Sequence, residues 1–317
     1  MRHSHRFWSR WQNWIAAILV LSFTFVAIAA PFLSPIDPKN PGAFKVVGRS
    51  TIFLPKPPSE NAPLGTLPGQ LSVYHSLVWG TRDAMRFGLL VALSTACIGI
   101  LYGAVAGYAG GAANRALMRV ADAFLTFPII AGVALIQQLW LNAVYTTGGA
   151  ITNLYGGSGA ERNTDSFIQI LLRHVDPLTL ILILLSWMPY ARLVNTLVIA
   201  LKRTEFVVAA QALGATPSRI LFRHILPNAI APAIVFVARD VGSFVIIQAT
   251  LTFIGLTGNS PWGVVLSAGR DWVIGPGGNI LTYWWTFLPA TIVVVLFGIT
   301  WNLLGDGLSE VLDPHPG

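Results

Sequence analysis

EFVVAAQALGATPSRILFRHILPN, residues 205–228, is a polar insert between two long apolar runs. Its first half places Phe206, Ala210 and Leu213 at helical spacing, which predicts a short helix with one apolar stripe. Gly214 then stands where the end of a helix requires a left-handed backbone. The first half therefore predicts a helix that ends in a glycine turn.

The second half of the insert begins with Thr216 and Pro217, which are typical of the N-cap and first position of a helix. One side of this second helix carries Ile220, Leu221, His224 and Ile225. Pro227 is expected to stop the helix before the next apolar run, because proline lacks a backbone N–H. The insert as a whole is predicted to be a compact helix-turn-helix.

Composition places this insert in a membrane protein. The chain has 317 residues, of which 54% are hydrophobic and 10% are charged, whereas soluble domains average roughly 25% charged residues. The net charge of +7 does not indicate nucleic-acid binding, because the basic residues are scattered and no recognition motif is present. The single cysteine, Cys97, has no partner for an internal disulfide.

Six apolar runs are long enough to cross a bilayer, which takes about 20 residues each. They are 14–33, 89–108, 120–144, 176–201, 229–256 and 283–304. Segment 1–83 is interpreted as a cytoplasmic N-terminus, the first span and an outer Pro- and Gly-rich stretch. Segment 84–305 is interpreted as the transmembrane domain with the cytoplasmic loop 202–228, and 306–317 as a cytoplasmic tail. Gly99, Gly103 and Gly107 recur every four residues, which predicts close helix packing.

Charge predicts the orientation of these spans. The N-terminus carries Arg2, Arg6 and Arg10 without acidic residues, and basic residues also outnumber acidic ones around the insert. Because cytoplasmic loops carry an excess of Lys and Arg, both termini and the insert are expected inside. A retained first span is favoured over a cleaved signal peptide with its site at 27–29. The Gly- and Asn-rich stretch 145–175 is expected outside.

The insert resembles the EAA loop in permease subunits of bacterial ATP-binding-cassette (ABC) importers, most closely in the dipeptide, oligopeptide and nickel transport family. The resemblance is carried by Ala209-Ala210, by Gly214 and by the ending 224–228 (HILPN). The stretches 62–66 (APLGT) and 302–308 (NLLGDGL) also resemble signatures of this family. Val208 stands where the family usually has glutamate.

This resemblance implies an all-α type I importer permease of the bacterial inner membrane, with six transmembrane helices and a cytoplasmic helix-turn-helix coupling loop. The implied partners are a homologous permease subunit, cytoplasmic ABC ATPases that use ATP and Mg, and an extracytoplasmic solute-binding protein, with membrane lipid around the spans. The transported solute is implied to be a peptide or a related small solute such as nickel. The expected coupling residues are Glu205, Ala209, Ala210, Gly214, Pro217, Arg219, Arg223, His224 and Pro227.

The chain has no sequence motif for chemistry of its own. It lacks the P-loop pattern G-x-x-x-x-G-K-[ST], and its six histidines have no metal-ligand spacing, so no cofactor and no enzyme activity are expected. Arg239 and Asp240 lie inside the fifth span, where they either line a translocation path or pair with neighbouring helices. Asp122 and Arg192 are interpreted as anchors at the span ends. A secondary transporter or channel is the alternative function, and a membrane-bound enzyme is the third.

Overall fold

The computed structural model describes residues 10–36, 42–145, 176–256, 260–275 and 277–312. Residues 146–175 of the predicted outer loop lie outside these ranges. The main helices are α1 (Trp11–Leu33), α2 (Val73–Ala109), α3 (Gly111–Leu125), α4 (Ile129–Tyr145), α5 (Pro177–Ser186), α6 (Met188–Leu201), α7 (Glu205–Ala212), α8 (Ala231–Phe253), α9 (Pro261–Ile274) and α10 (Leu288–Leu312). Within the described residues the only paired strands are β1 (Thr66–Leu67) and β2 (Leu71–Ser72), which form an antiparallel hairpin.

Five helical segments of the described chain are long and apolar enough to cross a membrane. These are α1, α2, the pair α5 and α6 taken together, α8 and α10. The pair α3 and α4 makes a sixth candidate if the bent pair counts as one span. The prediction of an all-α, polytopic membrane protein is therefore confirmed.

The third predicted span is not one straight helix. The sequence predicted a continuous run over 120–144, but α3 ends at Leu125 and α4 begins at Ile129, at an angle of 79°. Pro128 lies in the break, and a proline both lacks an N–H and disfavours helical backbone in the residue before it. The hydropathy of the run is continuous across the break, so it carried no sign of the bend.

The second span begins earlier in the chain than its hydropathy indicated. The apolar run starts at Leu89, but α2 already starts at Val73, with the hydroxyl of Ser72 accepting from the backbone N–H of His75 at 3.3 Å. Residues 73–82, which the sequence assigned to the outer segment, are therefore helical. The charged residues between 82 and 86 precede the apolar run, but the helix continues through them.

The connection between the fifth and sixth predicted spans contains a helix that packs against the spans. Residues 261–263 lie between the predicted spans 229–256 and 283–304, and they begin α9, in which Trp262 is only 1% exposed. The Trp262 indole N–H donates to the carbonyl oxygen of Leu77 at 3.2 Å, and its ring packs edge-on against Phe297. This contact joins α9 to α2 and α10, so the three helices form one packed unit.

The glycines spaced four apart on α2 lie against α6, as predicted. A Cβ atom at Gly103 would lie 2.9 Å from the Cα of Ala191 and would also collide with the Ala191 carbonyl oxygen. A Cβ atom at Gly107 would lie 2.9 Å from the carbonyl oxygen of Asn195. The backbones of α2 and α6 therefore approach at a distance that side chains on these positions would prevent.

The first and last helices pack together. Phe23 of α1 lies edge-on to Phe297 of α10, with ring centroids 5.1 Å apart. Arg10, just before α1, forms an ion pair with Glu310 near the end of α10. The last helix begins at Leu288, five residues after the predicted start of the sixth span, and continues through 306–312 of the predicted tail. These contacts join the first predicted span to the last one.

Candidate functional site

The turn between the two short helices of the insert has the predicted left-handed glycine. α7 ends at Ala212, and Gly214 has a φ of +78°. The N–H of Gly214 donates to the carbonyl of Gln211 at 2.9 Å, and the N–H of Ala215 donates to that of Ala210 at 3.1 Å. This pair of bonds is the Schellman motif, which satisfies the last carbonyls of a helix and reverses the chain. The prediction for Gly214 is confirmed.

Pro227 does not stop the second helix, contrary to the prediction. Helical backbone runs through Pro217–Arg219, a π-helical turn at Ile220–Ile225 and a further α-turn at Leu226–Ala229. The N–H of Leu226 donates to the carbonyl of Leu221, five residues back, and Pro227 then starts the next turn, where its missing N–H is tolerated. The chain bends at Ile230, directly before α8, so the insert is joined to the fifth span almost without a break.

The inner face of the insert is packed against the spans. Val207, Ile220, Leu221 and Ile225 are buried in a cluster with Tyr190, Val194 and Val198 of α6 and with Ala104 of α2. Three of the four residues predicted for one side of the second helix are therefore buried together, and His224 is half-buried. A movement of the insert is expected to move α6, because their side chains share one core.

The buried side of the first helix of the insert is not the predicted apolar stripe. Val207 is fully buried, whereas Phe206 is 45% and Leu213 is 88% exposed. Phe206, Val207 and Val208 are all apolar, so the spacing of apolar residues does not define one face of so short a helix. The exposed apolar side chains of the insert are Phe206, Val208, Leu213 and Phe222.

The predicted coupling residues of the insert are mostly exposed. Those on the surface are Glu205, Ala209, Gly214, Pro217, Arg219, Arg223 and Pro227, while Ala210 is half-buried. In the part of the chain that the structure describes, none of Glu205, Arg219 and Arg223 forms an ion pair. Lys202 is fixed instead, since its ammonium donates to the Tyr108 carbonyl at 2.6 Å and lies 4.8 Å from the centre of that ring. The exposed face thus combines apolar side chains with charged ones, two arginines and one glutamate.

Arg239 and Asp240 each contact a neighbouring helix. Arg239 pairs with Asp306 of α10 at 2.6 Å, and Asp240 accepts a hydrogen bond from the Tyr190 hydroxyl of α6 at 2.8 Å. The two do not pair with each other, because adjacent residues on a helix point about 100° apart. Both residues therefore have partners on neighbouring helices, as the interpretation of helix pairing requires.

Asp122 and Arg192 are joined by a contact that no local pattern indicated. The guanidinium nitrogens Nε and Nη2 of Arg192 both donate to Asp122 Oδ1, at 2.9 and 2.5 Å. One turn further along α6, the amide of Asn195 donates to Asn114 of α3 at 2.6 Å. These bonds fasten α3 to α6. The paired residues are 70 and 81 positions apart, so spacing along the chain could not have matched them.

Asp240 provides a test of whether these polar contacts serve transport or packing. We expect Asp240→Asn to keep the helices assembled, because an amide oxygen still accepts from Tyr190, and to change transport if the carboxylate charge faces the path. Uptake should be measured per assembled complex, with Tyr190→Phe as the control that removes only the hydrogen bond. A loss of assembly with unchanged uptake per complex would assign Asp240 to packing alone.

The insert has one face packed against the spans and one exposed face. Together with the bundle of spans, this arrangement is typical of a multi-spanning transport permease. A family profile described as the binding-protein-dependent transport system inner membrane component matches residues 99–316. The chain belongs to this family, and it is the permease subunit of an ABC importer.

The relatives that match nearly the whole chain include three transport permeases. It is 28% identical over 315 residues to the oligopeptide transport system permease protein OppC of Bacillus subtilis, covering 98% of this chain and 87% of that protein. It is 29% identical to the nickel transport system permease protein NikC of Escherichia coli K12, with 97% and 95% covered. It is 28% identical to the dipeptide transport system permease protein DppC of Bacillus subtilis, with 95% and 81% covered.

Proposed function

We propose that this permease forms half of the translocation pathway for a peptide or a related small solute, and that residues 202–228 couple it to a cytoplasmic ATPase. The observation that carries the proposal is the two-sided insert. One face of the insert is packed against buried side chains of α6. The opposite face exposes apolar side chains on the side of the protein that is predicted to be cytoplasmic. Exposed apolar patches with a polar rim are typical of protein-binding surfaces.

The mechanism follows from these connections. ATP and Mg bound by the partner ATPases would close those subunits and push on the exposed face of the insert. The buried residues of the insert would transmit the push to α6, and the helical run through Leu226–Ala229 would transmit it to α8. The Arg192–Asp122 ion pair would then carry the motion from α6 to α3, next to the bend between α3 and α4. Alternating access would result from tilting these helices.

Leu213 is the sharpest test of the docking face, because it is 88% exposed and contributes little to the core. We expect Leu213→Asp to insert normally and to lower ATPase binding by about fivefold to tenfold, which is what the loss of an interface anchor worth about 1–1.4 kcal/mol produces. The measurement is recovery of the ATPase with purified permease. Leu281→Asp is the matched control, since Leu281 is 83% exposed and lies in the predicted outer loop. Equal recovery with both variants would reject this docking face.

We also propose that both termini lie in the cytoplasm. The Arg-rich start supports this orientation, and the Arg10–Glu310 pair supports one side for both ends. Reporter fusions after Gly48 and after Gly157 should therefore register the outer side, although Gly157 lies outside the described residues. A cytoplasmic signal at either position would contradict the orientation.

The partners proposed for this chain are a homologous permease subunit, ABC ATPases and an extracytoplasmic solute-binding protein. The names of the relatives support the solute class, since those proteins belong to oligopeptide, dipeptide and nickel transport systems. A secondary transporter or channel would need no ATPase. Purification from the native membrane should therefore recover an ATPase with this importer permease, and recovery of the chain without one would contradict the proposed ATPase partner.

A further inference from the structure

Two arginines on the outer half of α2 stand on a face that otherwise carries apolar side chains. Arg82 and Arg86 are one turn apart, and Leu90 and Leu93 continue the same helical stripe, each 55% exposed. Residues three or four positions apart share one side of a helix. Arg86 is exposed and Arg82 is half-buried, so the positive charge lies near the surface rather than in the core of the bundle.

Neither arginine forms an ion pair among the described residues. The guanidinium of Arg82 lies 5.4 Å from the ring centre of Trp79, and no salt bridge forms at Arg82 or Arg86 in the described part of the chain. Asp83, between them in sequence, is directed to α8, where it accepts from the amide of Gln248 at 3.3 Å. The face therefore presents two guanidinium groups whose donors no carboxylate of the described chain accepts.

The arginines lie just below the predicted outer surface of the bilayer. The Trp79 indole donates to the carbonyl of Ser34 at the outer end of α1, at 2.9 Å, and tryptophan is enriched at the membrane–water interface. At 1.5 Å per residue, Arg82 and Arg86 are about 4.5 and 10 Å deeper along α2. Relative to that interface this is the depth at which lipid headgroups meet acyl chains, and a guanidinium there can reach a lipid phosphate along its flexible stem.

A groove of about 310 Å³ between α1 and α2 joins the two arginines to an apolar floor. Its lining consists of Thr24, Ala27, Ile28, Arg82, Met85, Arg86 and Leu89. The two arginines make one side of the groove basic, and most of its other lining residues are apolar. Ile28 at its edge is 71% exposed, so the groove is open to the surface of the protein. An occupant needs a negative headgroup and a hydrocarbon chain.

We propose that this groove binds an anionic phospholipid of the outer leaflet. The phosphate would accept hydrogen bonds from Arg82 and Arg86, since guanidinium groups match phosphate oxygens geometrically. One acyl chain would lie along Ala27, Met85 and Leu89. The lipid would compensate charges that form no ion pair within the described chain and would fill the space between the first two spans.

The test is lipid retention by the permease purified together with its second subunit, measured by native mass spectrometry after exchange into phosphatidylglycerol or phosphatidylcholine. We expect one tightly held phosphatidylglycerol and no comparable phosphatidylcholine. Arg82→Gln with Arg86→Gln should lower that retention by at least about tenfold, because two phosphate contacts are removed. Arg82→Lys with Arg86→Lys keeps the charges and should retain most of the lipid.

The matched control is Arg115→Gln with Arg119→Gln, the same charge change at the same spacing on α3. It should leave the tightly held lipid in place. If both pairs of substitutions lower lipid retention equally, the effect comes from the total charge of the protein and not from this groove. If phosphatidylcholine is retained as well as phosphatidylglycerol, the groove does not select an anionic lipid. Either result overturns the proposal. Loss of the second permease subunit from the complex with unchanged lipid would assign the arginines to that subunit instead.

Discussion

Gly103→Val is expected to prevent stable packing of α2 against α6. The new Cβ would lie 2.9 Å from the Cα and carbonyl carbon of Ala191, and these are backbone atoms that no change of rotamer can move aside. The helices must separate, which also weakens the 3.5 Å bond from the Asn195 amide to the Gly103 carbonyl. Overpacking of this kind costs about 1–3 kcal/mol, and backbone contact places Gly103 at the upper end.

The expected result is a several-fold lower level of Gly103→Val in the membrane, because a loss of about 1–2 kcal/mol already changes abundance several-fold. Thermal unfolding in detergent should show a lower midpoint for whatever protein is recovered. Cys97→Leu is the matched control, since it also enlarges a side chain on α2 but at an exposed position. Wild-type abundance and melting of Gly103→Val would show that α2 and α6 do not touch at this glycine.

The features that the sequence predicted correctly are those determined by residues close together in the chain. Gly214 follows a short helix and precedes Thr216-Pro217, so a left-handed turn was the simplest way to connect two helices. The spacing of Gly99, Gly103 and Gly107 defined one helix face as small, and small residues permit close approach. Both expectations depend only on residues within a few turns of one another.

The features that the sequence did not predict depend on distant partners or on backbone geometry. The burial of Trp262 requires the Leu77 carbonyl, 185 residues away, and no property of residues 261–263 indicates it. The 79° bend after Leu125 was hidden because apolar residues continue on both sides of Pro128. The expectation that a proline stops a helix fails at Pro227, where a preceding π-turn lets the helix continue.

The position of the insert explains why its charged side chains and several of its apolar side chains are exposed to solvent. Its inner face is packed against α6, so its remaining side chains lie on the side that faces away from the spans. Exposed Phe222 and Leu213 are costly in water unless another protein covers them. This is the physical reason to expect that the insert functions in a complex, and it makes the rigidity of the turn important.

Gly214→Val is expected to leave the protein in the membrane but to abolish productive coupling to the ATPase. Nothing lies within 4 Å of the position of a Cβ at Gly214, so the variant meets no steric obstacle, and the whole effect comes from the φ of +78°. A β-branched residue there costs about 1–2 kcal/mol or more. That is a modest part of the stability of a folded domain, about 5–15 kcal/mol, but a large part for two short helices that depend on one turn.

Gly214→Asn is the matched control for this turn, because asparagine adopts the left-handed conformation far more readily than valine. With the permease level in the membrane normalised, Gly214→Val should recover little ATPase and support little uptake, whereas Gly214→Asn should resemble the wild type. The contrast isolates backbone conformation from side-chain size, since both variants place their side chains in open space. If the two variants bind ATPase and transport equally well, residues 202–228 do not couple through this turn.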